Sequence, residues 1–110
     1  MSAPPISKLS QVRVTHPEPG LQRRVLTNSP TLMLIEHRME NGWQGARHSH
    51  PHEQMVYVLS GKLRFVCGND AFEIVAGDSF IVPGGVEHQA SALEACVVLD
   101  VFHPTRQDYL

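Results

Sequence analysis

Short runs of alternating hydrophobic and polar residues cover most of the chain, and Gly, Pro, Asn and Ser separate these runs. Alternation with a period of two is typical of β-strands that bury one face. No stretch keeps an amphipathic helical period over about 11 residues. The pattern therefore predicts an all-β sandwich or barrel. The predicted strands are Arg23–Thr27, Thr31–Arg38, Gln54–Leu59, Lys62–Cys67, Ala71–Val75, Ser79–Val82, Val86–Ser91 and Ala95–Phe102.

The first twenty residues follow a different pattern. They contain four prolines and little periodic hydrophobicity, and they lack the apolar stretch of a signal peptide. We interpret residues 1–20 as an N-terminal arm and residues 21–110 as the barrel.

Two predicted strands are apolar on both faces. Leu32–Ile35 and Val97–Leu99 do not alternate, whereas a strand with one face in water should do so. A second layer of the same chain or a second copy of it must cover the outer face. Because so small a barrel has little else to cover this face, we predict a homodimer.

Composition limits the classes of partner. A chain of 110 residues with 42% hydrophobic and 18% charged residues is sufficient for one domain with its own core. A net charge of −2 argues against nucleic acid and acidic membranes as partners, and no run approaches the ~18 apolar residues of a membrane helix. Cys67 and Cys96 have no C-x-x-C spacing, so we expect free thiols and a cytoplasmic protein.

Histidines are numerous, at seven, and three of them lie at alternate positions in one segment. In an extended chain, His48 and His50 point to the same side, about 6.5–7 Å apart along the strand, and can bind one metal ion. If the chain turns at Pro51, Gln54 can return to the same ion. A fourth ligand must come from a distant segment, where His88 is the best-placed candidate.

Two alternatives to this metal site are open at this stage. The histidine pair could be a cluster on the surface that binds no metal ion. The ligand pair could instead be His50 and His52, with Glu53 as the carboxylate.

The last predicted strand carries a second group of candidate residues. Alternation places Val98, Asp100 and Phe102 on one face, and an acid in an apolar strand is costly to bury without a partner. Inside the barrel, Asp100 could act in general acid–base catalysis, Phe102 could form a wall of the pocket, and Arg106 could bind a carboxylate. Alternatively, Asp100 and Arg106 form a structural ion pair and Phe102 belongs to the core.

The two histidine segments resemble the two signature motifs of the cupin superfamily. The first is matched by His48-x-His50-x3-Gln54-x6-Gly61, with Gln54 in place of the usual glutamate and a leading glycine displaced by one residue. The resemblance implies a double-stranded β-helix, which is a jelly-roll barrel of the RmlC-like type, with a metal ion inside its mouth. The second motif is matched by Gly77, Pro83, Gly85 and His88, with Ala92 where an asparagine often stands.

The tail pattern D-x-F-x-P-x-R-x-D and the segment H-S-H-P-H-x-Q resemble one cupin group in particular. This group is the pectin-degradation proteins, which convert 4,5-unsaturated uronate monomers to the linear keto form. The resemblance implies catalytic and substrate-contacting roles for Asp100, Phe102 and Arg106. It implies one divalent ion, of Ni, Zn, Mn, Fe or Co, held by His48, His50, Gln54 and His88.

The resulting hypothesis is a metal-dependent enzyme that performs hydrolysis or ketonisation of an unsaturated uronate, so that its partner is a small anionic sugar acid. Because Gln54 is neutral, the site keeps a charge near +2, which favours binding a carboxylate or enolate over oxygen activation. Alternative hypotheses are a metal-dependent dioxygenase, a lyase acting on a small carboxylate, and a non-catalytic sugar-binding cupin.

The other polar and sulfur-containing residues carry weaker expectations. We expect solvent exposure for His16, His37 and His103. Strand parity allows several arginines to line an anionic pocket, although we expect exposure for each of them: Arg23, Arg24, Arg47 and Arg64. Packing roles are expected for Met33, Met39 and Met55, and Trp43 could cap the barrel or line its mouth.

Overall fold

The structure is a computed structural model that describes residues 3–110. Within this range the chain forms nine strands and two short 3₁₀ helices, Leu9–Gln11 and Gln107–Tyr109. The strands are β1 Val14–Glu18, β2 Leu21–Asn28, β3 Met33–Met39, β4 Glu53–Ser60, β5 Lys62–Cys67, β6 Asp70–Val75, β7 Ser79–Val82, β8 His88–Ala92 and β9 Cys96–His103. In residues 3–110 no helix is long and apolar enough to cross a membrane.

The strands form two antiparallel sheets, which confirms the all-β prediction. One sheet has the order β1-β2-β3-β9-β4-β7 and the other has the order β6-β5-β8. The eight predicted strands correspond to β2 through β9, with ends that differ by a few residues.

The N-terminal segment takes part in the larger sheet. Val14–Glu18 pair with β2, although the sequence analysis assigns them to the arm. The prolines of this segment favour an irregular conformation. Pro17 lies in β1, however, which is an edge strand, and an edge strand tolerates a residue without an N–H donor. The division into an arm and a barrel stays a prediction, and residues 1 and 2 of that arm lie outside the described range.

The core lies between the two sheets because alternate residues of the strands point inward. In β4 the buried positions are Gln54, Val56 and Val58, and in β9 every second residue from Cys96 to Phe102 is buried. The predicted inward face of β9 is therefore confirmed. Leu63, Phe65 and Ile74 of the smaller sheet close the core from the opposite side.

The outer side of the larger sheet carries an apolar surface. Met55, Tyr57 and Leu59 of β4 and Ile81 of β7 are each 43–49% exposed. They adjoin outward-facing residues of β9, since Met55 pairs with Val101 and Tyr57 with Leu99. We call this surface the outer apolar face; its residues are Met55, Tyr57, Leu59, Ile81, Leu99 and Val101.

Gly61, at the turn between β4 and β5, lies close to the backbone of Ala95. Its φ is +84°, a region that L-residues with a side chain rarely adopt, and a Cβ atom there would lie 2.2 Å from the Ala95 carbonyl oxygen. Gly77 has a similar φ of +92°, but a Cβ atom there would meet nothing within 4 Å. A side chain at either position would therefore strain the backbone, but only a side chain at Gly61 would also meet a steric conflict.

We expect Gly77→Ala to lower the free energy of unfolding by about 1–2 kcal/mol, the cost of the left-handed conformation. Gly61→Ala should cost roughly 2 kcal/mol more, because the Ala95 backbone must also move. Urea denaturation of both variants measures the difference. Equal destabilisation by the two substitutions would contradict the steric explanation.

Candidate metal centre and substrate cavity

Three histidine side chains converge at the open end of the barrel. His48 and His88 form a bridge between the segment before β4 and the start of β8, with backbone N–H···O bonds of 3.0 and 2.8 Å. His50 joins them from the same segment as His48. One ring nitrogen of each histidine lies within 4.8 Å of those of the other two.

The second ring nitrogen of each histidine faces a backbone carbonyl oxygen. The Nδ1 atoms of His48, His50 and His88 lie 3.0, 3.0 and 2.9 Å from carbonyl oxygens of Ala46, His52 and Val86. A carbonyl can only accept a hydrogen bond, so Nδ1 carries the proton in each ring. In a neutral imidazole the lone pair is then on Nε2, as metal binding requires.

Burial favours this neutral form. It lowers the pKa of His50 below its ordinary value, and the nearby charge of Arg106 lowers it further. Burial also lowers the pKa of His88. The three histidines form a candidate metal site whose two buried members resist protonation.

Gln54 is the first buried residue of β4 and lies beside this group. Its Oε1 is 3.1 Å from Nε2 of His50, and its Nε2 donates to Oδ1 of Asp100 at 2.8 Å. The amide oxygen therefore faces the histidines. The alternative set with His52 and Glu53 is not brought together, because His52 is outside the histidine group and Glu53 is exposed.

Asp100 is buried, with 4% exposure, and both its oxygens have partners. Oδ1 accepts from Gln54, and Oδ2 accepts from Nδ1 of His37 at 2.6 Å. The expectation that His37 is exposed is wrong, since its side chain is only 12% exposed and lines the cavity. The alternative ion pair of Asp100 with Arg106 is also wrong.

Arg106 is held by its own segment after β9. Its Nη2 donates to Oδ2 of Asp108 and its Nη1 donates to the Tyr109 hydroxyl, both at 2.8 Å. The guanidinium carbon lies 5.2 Å from the ring centre of Phe102. Phe102 itself is buried and also packs against the ring of His50, so it belongs both to the core and to the cavity wall.

A second arginine faces the cavity from β2. Arg23 donates from Nε to Nε2 of His37 at 3.0 Å, and its guanidinium carbon lies 3.7 Å from the ring centre of Tyr109. The Arg106 guanidinium lies 4.0 Å from the same ring. Burial raises the pKa of Tyr109, so the phenol stays protonated between the two cations.

Most of these residues, although not His50, line a cavity of about 240 Å³. Trp43 is among the lining residues and donates from Nε1 to Oε1 of Glu18 at 2.6 Å. Apolar residues form the remaining wall: Leu21, Met39, Leu63, Phe65 and Val98. The polar groups converge on one side of this cavity, an arrangement typical of small-molecule sites.

Other expectations have mixed outcomes. Arg24, Arg47 and Arg64 are not among the residues that line the cavity, whereas Arg23 is. Met33 and Met39 are buried as expected, but Met55 is on the outer apolar face.

Sequence reasoning underestimated Arg23 and His37 and missed Tyr109. A signal for the first two exists, because each occupies an inward position between apolar inward neighbours, as His37 does between Ile35 and Met39. Tyr109 follows the last strand in a short 3₁₀ helix, where no periodicity indicates its position.

Comparisons with known proteins agree with this geometry. The sequence profile of the cupin domain matches residues 35–102. The pectin degradation protein KdgF of Dickeya dadantii is 30% identical over 93 residues, which cover 83% of this chain and 84% of that protein.

Two solved structures are similar over nearly the whole length. An RmlC-like cupin from Shewanella frigidimarina has a TM-score of 0.91 and 30% identity, covering 96% of this chain and 95% of that one. KdgF from Halomonas sp. has a TM-score of 0.89 and 31% identity, covering 96% of this chain and 97% of that one. The chain therefore belongs to the cupin family, with a jelly-roll barrel similar to that of KdgF.

Proposed function

We propose that this protein is a metal-dependent enzyme that converts a 4,5-unsaturated uronate monomer to its linear keto form. The hydrogen bond between Gln54 and Asp100 carries the proposal, because it places a buried carboxylate next to three converging histidines. The similarity to pectin degradation proteins supports a sugar acid as the substrate class.

Cavity size and charge support a small anionic substrate. About 240 Å³ is below the ~300–1,000 Å³ of pockets for drug-sized ligands, so the cavity suits a single sugar ring. Arg23 and Arg106 supply two cations at the cavity wall, and a guanidinium group binds a carboxylate with two parallel hydrogen bonds.

His48, His50, Gln54 and His88 are the residues that would hold a divalent ion. All four are neutral donors, so the ion would keep its full double charge. When bound, the metal supplies Lewis acidity that polarises the carboxylate and ring oxygens of the substrate. Nickel, zinc, manganese, iron and cobalt all accept such nitrogen and oxygen ligands.

The residues of the chain then bind the substrate and move its protons. Arg106 binds the carboxylate and Phe102 packs against the sugar ring. Asp100 takes the proton of the hemiacetal hydroxyl as the ring opens, and a proton is returned to the ring oxygen, which becomes an enol. The enol loses its proton and the neighbouring carbon gains one, giving the ketone. No water is consumed, so the overall reaction is an isomerisation and not a hydrolysis.

The outer apolar face supports a homodimer. A two-fold interface brings the same surface of both subunits together, and an uncharged apolar sheet face is complementary to itself. Burying it in a second copy removes Met55, Tyr57, Leu59 and Ile81 from water. The cytoplasmic location stays a prediction from the sequence.

Replacing Asp100 with Asn should lower the turnover of an unsaturated uronate by at least about a hundredfold, because the group that accepts the proton is removed. The loss of the ultraviolet absorbance of the substrate double bond measures the rate, with metal in excess. Asp70→Asn, the same substitution at an exposed strand end, is the control. Turnover of Asp100→Asn at the wild-type rate, or oxygen uptake during the reaction, would contradict the proposed mechanism.

Replacing His48 with Ala should weaken Zn²⁺ binding by more than ~10-fold, since one of four ligands is lost. His48 is exposed, so its truncation should leave the core intact. Titration calorimetry and elemental analysis after dialysis measure the affinity and the metal content. His52→Ala, a histidine of the same segment outside the candidate site, should bind Zn²⁺ like the wild type. Equal binding by the two variants would exclude His48 as a ligand.

Wild-type protein should sediment with twice the mass of one chain, and Tyr57→Lys should shift it to the monomer. The introduced charge would be buried without a partner at the centre of the outer apolar face. Val75→Lys alters an apolar residue of similar exposure, 46% against 43%, on the other sheet and should remain dimeric. A monomeric wild type at micromolar concentration would overturn the homodimer.

A further inference from the structure

A row of four polar side chains crosses the inner face of the larger sheet. It contains one residue from each of four adjacent strands: Arg23 of β2, His37 of β3, Asp100 of β9 and Gln54 of β4. Arg23 lies directly opposite His37. The other neighbours are diagonal, because Ile35 is the residue opposite Asp100 and Phe102 the residue opposite Gln54. We call these four residues the polar row.

Hydrogen bonds join every neighbouring pair of the polar row. The distances are 3.0 Å from Arg23 to His37, 2.6 Å from His37 to Asp100 and 2.8 Å from Gln54 to Asp100. The row ends beside the candidate metal site, where Oε1 of Gln54 lies 3.1 Å from Nε2 of His50.

Donors and acceptors in the polar row can be arranged in only one way. A guanidinium group only donates, so Nε2 of His37 must accept from Arg23. The imidazole is then neutral with its proton on Nδ1, which donates to Asp100. The carboxylate accepts at both oxygens, so the group of Gln54 that faces it must be the NH₂. The oxygen of that amide is left to face the histidines.

The orientation of the Gln54 amide decides whether this residue can bind a cation. Its oxygen and nitrogen ends have nearly the same shape, but only the oxygen has a lone pair to offer. A reversed amide would bring its oxygen against the Asp100 carboxylate, two acceptors in contact in a buried site. Gln54 and Asp100 are both buried, with 8% and 4% exposure, so water cannot relieve that contact.

We infer that Arg23 and His37 are positioning residues that fix the orientation of Gln54 and thereby complete the ligand set, an inference that rests on the proposed metal centre. Neither residue contacts the cation. Arg23 selects the tautomer of His37, His37 holds the carboxylate of Asp100, and Asp100 orients the amide. The effect of Arg23 reaches the cation through three hydrogen bonds.

The direction in which metal affinity changes when Arg23 is removed distinguishes a positioning role from a purely electrostatic one. Removing a positive charge from the site reduces repulsion of a divalent cation, so Coulomb's law predicts tighter metal binding. Loss of positioning predicts weaker binding, because the Asp100 carboxylate is then no longer held against the Gln54 amide, which can adopt both orientations. A merely structural role for Arg23 predicts a change in stability with no change in metal affinity.

Titration of Zn²⁺ into wild-type protein and Arg23→Met, with melting temperatures recorded for both, tests the inference. We expect a roughly tenfold weaker affinity in Arg23→Met, the lower end for residues that orient metal ligands. Arg24→Met is the matched control, since Arg24 is the next residue of β2, carries the same charge and pairs with Glu36 away from the cavity. Its affinity should equal that of the wild type.

His37→Leu provides a second test of the polar row by the same titration, and it decides the matter if Arg23→Met does not fold. It should weaken Zn²⁺ binding by about 10–100-fold, whereas His37→Gln, which can both accept and donate, should retain most of the affinity. Unchanged or tighter binding in folded Arg23→Met or His37→Leu would overturn the inference. A wild type that binds no Zn²⁺ would overturn the metal centre itself. A wild type that binds Zn²⁺ but does not convert a uronate would contradict only the proposed reaction.

Discussion

The hydrogen bond between the amide of Gln54 and the carboxylate of Asp100 connects the two functional halves of the cavity. On one side of it are the three histidines, whose unprotonated nitrogens converge. On the other side is His37, which donates to the second carboxylate oxygen and accepts a hydrogen bond from Arg23. Because both residues are almost fully buried, neither can exchange this bond for one with water. The Gln54 amide and the Asp100 carboxylate therefore each depend on the other for their orientation.

A barrel with an apolar core can hold such a group only when its polar atoms are paired. An unpartnered carboxylate at the position of Asp100 would cost several kcal/mol. Two hydrogen bonds to that carboxylate offset this cost. The Arg106 guanidinium is paired in the same way, with Asp108 and the Tyr109 hydroxyl. The same pairs fix the directions in which the polar side chains face the cavity. The contacts that stabilise the buried polar groups thus also determine how these groups line the cavity.

The cavity region combines neutral donor groups with two cationic side chains. The histidines and Gln54 offer neutral donor atoms, while the guanidinium groups of Arg23 and Arg106 both lie against the ring of Tyr109. The aromatic ring interacts favourably with both cations and keeps them at the cavity wall. On the opposite side of the same sheet lies the outer apolar face, the surface that we propose as the dimer interface.

Local patterns in the sequence were sufficient for strands β2 through β9, since alternation of hydrophobic residues depends only on neighbours along the chain. They also indicated the four proposed metal ligands, His48, His50, Gln54 and His88, because the motif fixes the spacing of these residues. The edge strand β1 escaped prediction because its proline is tolerated only where the sheet ends. The outward position of Met55 likewise depends on which face of β4 meets the core.

The partners of Asp100 show what the tertiary structure decided. The sequence placed this acid on the inward face of β9, and its separation from Arg106 allowed an ion pair. The fold instead joins it to His37, a residue 63 positions away, because β3 lies beside β9 in the sheet. Alternation along a strand determines which side of a sheet a residue occupies. Strand order and register determine which residue it meets there, and these are set by the packing of the whole chain.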